Sequence, residues 1–196
     1  MPVRQRITTD MEGKKSNWLA RLDAVTKQMK DAERLSSTML NTKPDAQTWS
    51  VGAVVDHLVR INTSYYPGFK AIHEKNQSLK RINRIGWLNR WFGQLILKSV
   101  QPDRKRKSKT MTIWEPASSD HPPSVFVTFY AEQELLKNWI HLLANEKSKR
   151  AVIPSPANAR IAYPLETALE IIITHEERHM VQIGEIMRRL KKHEAA

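Results

Sequence analysis

The sequence predicts an all-α protein: a four-helix bundle with long loops between helices 2 and 3 and between helices 3 and 4. Long stretches repeat apolar residues at helical spacing, and only six glycines leave little material for the tight turns of an all-β fold. No convincing set of strands interrupts the helical patterns, so the helices must bury their apolar faces on one another. With 196 residues, 40% of them hydrophobic and 27% charged, the chain suits one compact domain over 1–196.

The first helix is expected from about Lys14 to Leu40, where Trp18, Leu22, Val25, Met29 and Leu40 recur at roughly helical spacing. The segment NTKPDAQTW breaks it, because Pro44 has no amide hydrogen and disfavours helix before it. Ser50 is placed to cap the second helix, which begins VGAVVDHLVRINTSYY and sets Val54, His57, Leu58, Ile61 and Tyr65 on one face. Pro67 and Gly68 are expected to kink or end it. Residues 82–100 read as a further amphipathic helix or a bent continuation, with Trp87, Trp91 and Leu95 forming a stripe of the kind that joins a core. The irregular 101–123 segment is long enough to cover a site. A third helix is expected after Pro122 and Pro123 to about Lys149, burying Val125, Phe129, Leu135 or Leu136, Trp139 and Leu143. AVIPSPANARIAYP then connects to the last helix, from Pro164 or Leu165 to about Lys192.

The chain has no cysteine, which removes disulfides, thiolate metal sites and cysteine nucleophiles; any transition metal must be held by His, Asp or Glu. The start of the chain lacks the apolar core of a signal peptide, and no run approaches the ~18 apolar residues of a membrane span. A cytoplasmic protein with no membrane partner is expected. The net charge of +12 is concentrated partly in 98–110 and 188–193. Neither run is interleaved with aromatic residues, so solvated surface is expected and nucleic acid is not. The competing reading is a non-catalytic binding protein whose Arg104, Lys105, Arg106 and Lys107 contact nucleic acid or another polyanion.

The histidines carry the chemistry. On the last helix His179 lies about 40° from His175 and Gln182 about 20° to the other side, at the centre of an apolar face with Ile172 and Ile186. Residues four apart stack, so both imidazoles reach one ion. His57 shares an inward stripe with Val54 and Ile61 on the second helix. Three neutral nitrogens from two helices suit a divalent metal that keeps an open position. Glu176, at about 100°, flanks the histidine face; a supporting partner, a base and a surface or interhelical ion pair all remain open for it. Arg178 is placed to orient an anionic substrate or to sit at the rim. Trp49 and Tyr65 either line the pocket or pack. No catalytic base is assigned.

His175, Glu176 and His179 also spell the HExxH of a zinc protease helix, but only 17 residues follow His179 to supply a third ligand. Glu185 points off the histidine face, and Gln182 and Glu185 stand where the metzincin extension needs glycine and histidine. The spelling is read as accidental. GxSxG, P-loop and dinucleotide glycine patterns are absent.

Three segments, WSVGAVVDHL at 49–58, KTMTIWEP at 109–116 and IAYPLETALEIIITHEERHMVQIGEIM at 161–187, resemble the DinB-like (YfiT-like) metal-binding four-helix bundles. The combination of Trp-Ser ahead of an inward histidine with a late HxxxHxxQ is more specific than either part. The resemblance implies a metal triad of His57, His175 and His179, with Gln182 as the trailing glutamine. It implies zinc, nickel or a similar divalent ion and a homodimer. The implied activity is that of a hydrolase or a thiol-dependent transferase or isomerase, with a small-molecule substrate and a thiol cosubstrate. The basic 98–109 run departs from the less charged loop commoner in that family.

Overall fold

Apolar residues at helical spacing form α1 (Val3–Glu33), with Trp18, Leu22, Val25 and Met29 buried as their spacing requires. The computed structural model describes residues 3–103, 110–145, 148 and 150–194, and side chains from residue 11 to residue 192 within those spans. The single helix expected up to Leu40 is divided. Ser36 caps a short α2 (Ser37–Asn41), its hydroxyl accepting from the Met39 amide, and this competes with continuation of α1.

Ser50 caps α3 (Val51–His73), accepting from the Ala53 amide at 3.3 Å. Contrary to expectation, α3 passes through Pro67 without ending. Tyr65, Phe69 and Ile72 on both sides of the proline are buried, and their packing offsets the one lost backbone hydrogen bond. A 3₁₀ turn at Arg81–Arg84 leads into α4 (Gly86–Ser99). The stripe on α4 faces outward: Trp87, Trp91 and Leu95 are 71%, 55% and 52% exposed, not core. Instead α4 buries Asn89 and Gly93, and a Cβ at Gly93 would lie 2.8 Å from a Thr167 methyl. Packing against this glycine turns the tryptophans away.

A second 3₁₀ turn, Thr112–Trp114, interrupts the long connection to α5 (Val125–Leu143). Val125, Phe129, Leu136 and Leu143 are buried, Leu135 is exposed and Trp139 is half-buried. α5 stops at Leu143, short of the expected Lys149. The proline-containing connection expected next is a β-hairpin of β1 (Val152–Ser155) and β2 (Asn158–Pro164), antiparallel, with Ile153 opposite Tyr163 and an irregularity after Pro154. Val152, Ile153, Ile161 and Tyr163 favour extended backbone, and a two-stranded ribbon tolerates proline at its edges. The last helix, α6 (Leu165–Glu194), starts where expected.

The chain is therefore mostly helical with a small two-stranded sheet. α1 and α3 each lie against both α5 and α6, while α4 rests on β2 and α6. One apolar cluster includes Phe69, Ile140, Ile153 and Tyr163; the other joins Met29, Leu58, Phe126, Phe129 and Ile183. Full burial of each large side chain contributes about 1.5–3 kcal/mol. Among the described residues, no helix is long and apolar enough to cross a membrane.

Candidate metal centre

His57 stands in the second turn of α3, and His175 and His179 stand one turn apart on α6. Their apolar neighbours, Val54, Leu58 and Ile61 on α3 and Ile172, Ile183 and Ile186 on α6, are buried, which turns the imidazoles inward together. His57 and His179 are buried, and His175 is partly open. The Nε2 atom of His175 lies 3.4 Å from that of His57 and 3.0 Å from that of His179.

These separations can be tested against a metal ion. Metal–nitrogen bonds of about 2.0–2.1 Å in tetrahedral arrangement put the nitrogens roughly 3.3 Å apart. The three histidines therefore fit one divalent ion. Further support comes from His57 Nδ1, which lies 2.6 Å from the Trp114 carbonyl oxygen. A carbonyl can only accept, so Nδ1 carries the proton and Nε2 keeps its lone pair toward the other rings.

The electrostatics agree. Burial lowers the pKa of all three histidines, and their mutual repulsion adds to this for His175 and His179. For His179, burial, His57 and Arg178 outweigh the opposing influence of the Gln182 side chain, leaving a pKa of about 3. Neutral imidazole is the form that binds a metal ion.

The rings form part of the wall of a cavity of about 1360 Å³ that also meets Trp49, Tyr65, Arg178 and Gln182. Trp49 lies against His57 with ring centroids 4.9 Å apart. Tyr65 shares a 2.6 Å hydrogen bond with Tyr163 of β2, hydroxyl to hydroxyl. The Arg178 guanidinium donates to the Gln101 carbonyl at 2.7 Å. The structure thus brings four of the five non-ligand site residues expected from the sequence to one cavity.

Glu176 is the exception. It is fully buried and does not line the cavity; one carboxylate oxygen accepts from Asn62 at 2.7 Å and from Gln133 at 2.8 Å. Glu176 is not at the surface, and no ion pair engages it among the described residues. The reason is helix geometry: at about 100° from His175 its side chain enters the space between α3, α5 and α6. This agrees with an accidental HExxH spelling.

Two contributors escaped the sequence reading. Trp114 acts on His57 through its backbone carbonyl, a group every residue carries, and Tyr163 lies in a segment read as a connection. The remaining histidines stay apart: His73 and His141 are exposed, and His121 bonds the Ser118 carbonyl at 2.9 Å. The His193 side chain and Arg104, Lys105, Arg106 and Lys107 lie outside the described residues.

A mostly helical protein with three inward histidines that could hold one divalent ion is the class that fold and site define. This chain belongs to the DinB superfamily, whose family model matches residues 19–183. It is also similar to the uncharacterized protein YuaE of Bacillus subtilis (strain 168), with 28% identity over 159 residues, 81% of this chain and 89% of that protein. No solved structure matches.

Proposed function

We propose that the chain is a single four-helix-bundle domain formed by α1, α3, α5 and α6, and a metal-dependent enzyme that hydrolyses a small molecule or transfers a thiol to it. The observation that carries this reading is the convergence of the Nε2 atoms of His57, His175 and His179 at 3.0 and 3.4 Å. Imidazole donors favour zinc or nickel over magnesium or calcium. A divalent ion held by three neutral ligands supplies Lewis acidity, enough to make a water or a thiol a nucleophile near neutral pH.

The chain's own residues have separable roles. The Trp114 carbonyl holds the His57 proton on Nδ1, so that Nε2 serves as ligand. Arg178 offers a positive group beside the histidines for an anionic part of the substrate. Trp49, Tyr65 and Gln182 form part of the cavity wall beside the histidines, with the Tyr65 hydroxyl tied to Tyr163. A homodimer and a cytoplasmic setting belong to the same reading, and the lack of cysteine suits a reducing compartment.

Elemental mass spectrometry on untagged protein tests it. Near-stoichiometric zinc or nickel is expected in the wild type, lost in His57→Ala, His175→Ala or His179→Ala. Metal content unchanged in all three variants would overturn the site. With the ion identified, parallel ester, amide and thiol-transfer assays separate the two reaction classes, and light scattering reports the oligomer.

A further inference from the structure

The outward face of α4 has no role in the metal site. Trp87, Trp91 and Leu95 rise through three successive turns, each about 40° further round than the last. Ile82 and Ile85, just before the helix, are each 40% exposed. Three large apolar side chains exposed on successive turns of one helix face are uncommon on a monomer and mark a docking site. It is also held in place: buried Asn89 donates to the Asn83 carbonyl at 2.8 Å, and buried Asn83 donates to the Ala159 carbonyl of β2 at 3.0 Å.

Charge identifies the occupant. From Lys75 to Pro102 the sequence contains no aspartate or glutamate, while Lys75, Lys80, Arg81, Arg84, Arg90 and Lys98 are all exposed. No ion pair engages any of these six among the described residues. Lys98 projects about 20° from Trp87 within the face, and Arg90 about 60° away at its border. Two copies meeting through this face would bring Arg90 and Lys98 of each against those of the other, with no carboxylate from Lys75 to Pro102 to offset them. A nucleic acid would leave Ile82, Ile85 and Leu95 without a matching partner, since stacking needs aromatic planes. An anionic lipid surface satisfies both parts: tryptophan and aliphatic side chains enter the headgroup boundary, and lysine and arginine meet the phosphates.

We propose that the 3₁₀ turn and α4 form a peripheral docking surface for anionic membranes. The lack of a spanning helix among the described residues bears on crossing a bilayer, not on lying against one. The proposal stands apart from the metal reading.

Full-length protein mixed with vesicles tests it, at about 0.15 M salt where weak long-range attraction is screened. One set is phosphatidylcholine alone and the other contains about 30% phosphatidylserine. Sedimentation is expected with the second set only. Trp87→Ser/Trp91→Ser preserves every charge and should reduce partitioning at least about tenfold, as should Arg81→Gln/Arg84→Gln/Arg90→Gln. Helical circular dichroism should stay unchanged in both variants, showing that they fold. Wild type that ignores anionic vesicles overturns the proposal. So does undiminished binding by the folded tryptophan variant, which would assign the attraction to the chain's general positive charge. A dimer or an oligonucleotide complex that depends on Trp87 and Trp91, with no vesicle binding, replaces the lipid with that partner.

Discussion

Glu176 follows one proposed ligand directly, yet its carboxylate joins α6 to Asn62 of α3 and Gln133 of α5. Burial pushes its pKa up to about 7, against the opposing hydrogen bonds from those two amides. Glu176→Gln keeps an acceptor for both and removes the buried charge, so stability within about 1 kcal/mol of wild type, or above it, is expected with metal content unchanged. Glu176→Leu orphans two buried donors and should cost about 2–4 kcal/mol in urea unfolding. Loss of metal in the folded Gln variant would contradict this assignment. The inward aim of His57, His175 and His179 was legible because each falls in the middle of its own helix's apolar stripe. The surroundings of Glu176 were not, since its two partners come from other helices more than forty residues away.

Two elements meet the site or the bundle seam through directed bonds. The turn at Thr112–Trp114 is tied to α3 twice and the residues just after it once: the Trp114 carbonyl accepts from His57, the Trp114 indole donates to Ser64 Oγ at 3.1 Å, and the Ala117 amide donates to Asp56 at 2.7 Å. Ser64→Ala and Asp56→Ala remove no ligand, but they free the turn that orients His57. A decrease in metal affinity of up to about tenfold is expected in competition titrations, with helix content unchanged. On the other side, Arg21 of α1 donates to both oxygens of Glu177 at 2.7 Å, and to Glu170 and Thr174 of α6. Burial alone would raise the pKa of Glu170, but hydrogen bonds from Arg21 and Trp18 leave it below the ordinary value. A carboxylate with a depressed folded pKa binds protons more readily when unfolded. Its contribution is therefore complete above the usual glutamate range and lost as the pH falls through the folded value. Arg21→Met should reduce stability by about 1–2 kcal/mol at pH 7 and flatten this acid-side decline in pH-dependent thermal melts.

At the scale of the molecule, the proposed ligands bridge α3 and α6, so an ion bound there stabilises the folded chain by mass action. At a hundredfold excess over its dissociation constant the gain is about 2.7 kcal/mol. Chelation should lower the melting temperature by several degrees in the wild type and leave His175→Ala unmoved; equal shifts in both would exclude the histidines as ligands. The sequence by itself determined the long helices, the Ser50 cap and which histidines face inward, because periodicity and capping are properties of neighbouring residues. Tertiary structure decided the rest. The hairpin at Val152–Pro164 forms from short proline-containing segments with little periodicity of their own. Trp87 and Trp91 lie on the surface because Gly93 on the opposite side of α4 admits Thr167. His57 acquires its proton position from a backbone carbonyl 57 residues away. Each of these depends on which elements come to share a boundary, and helix periodicity specifies that a face is buried without specifying against what.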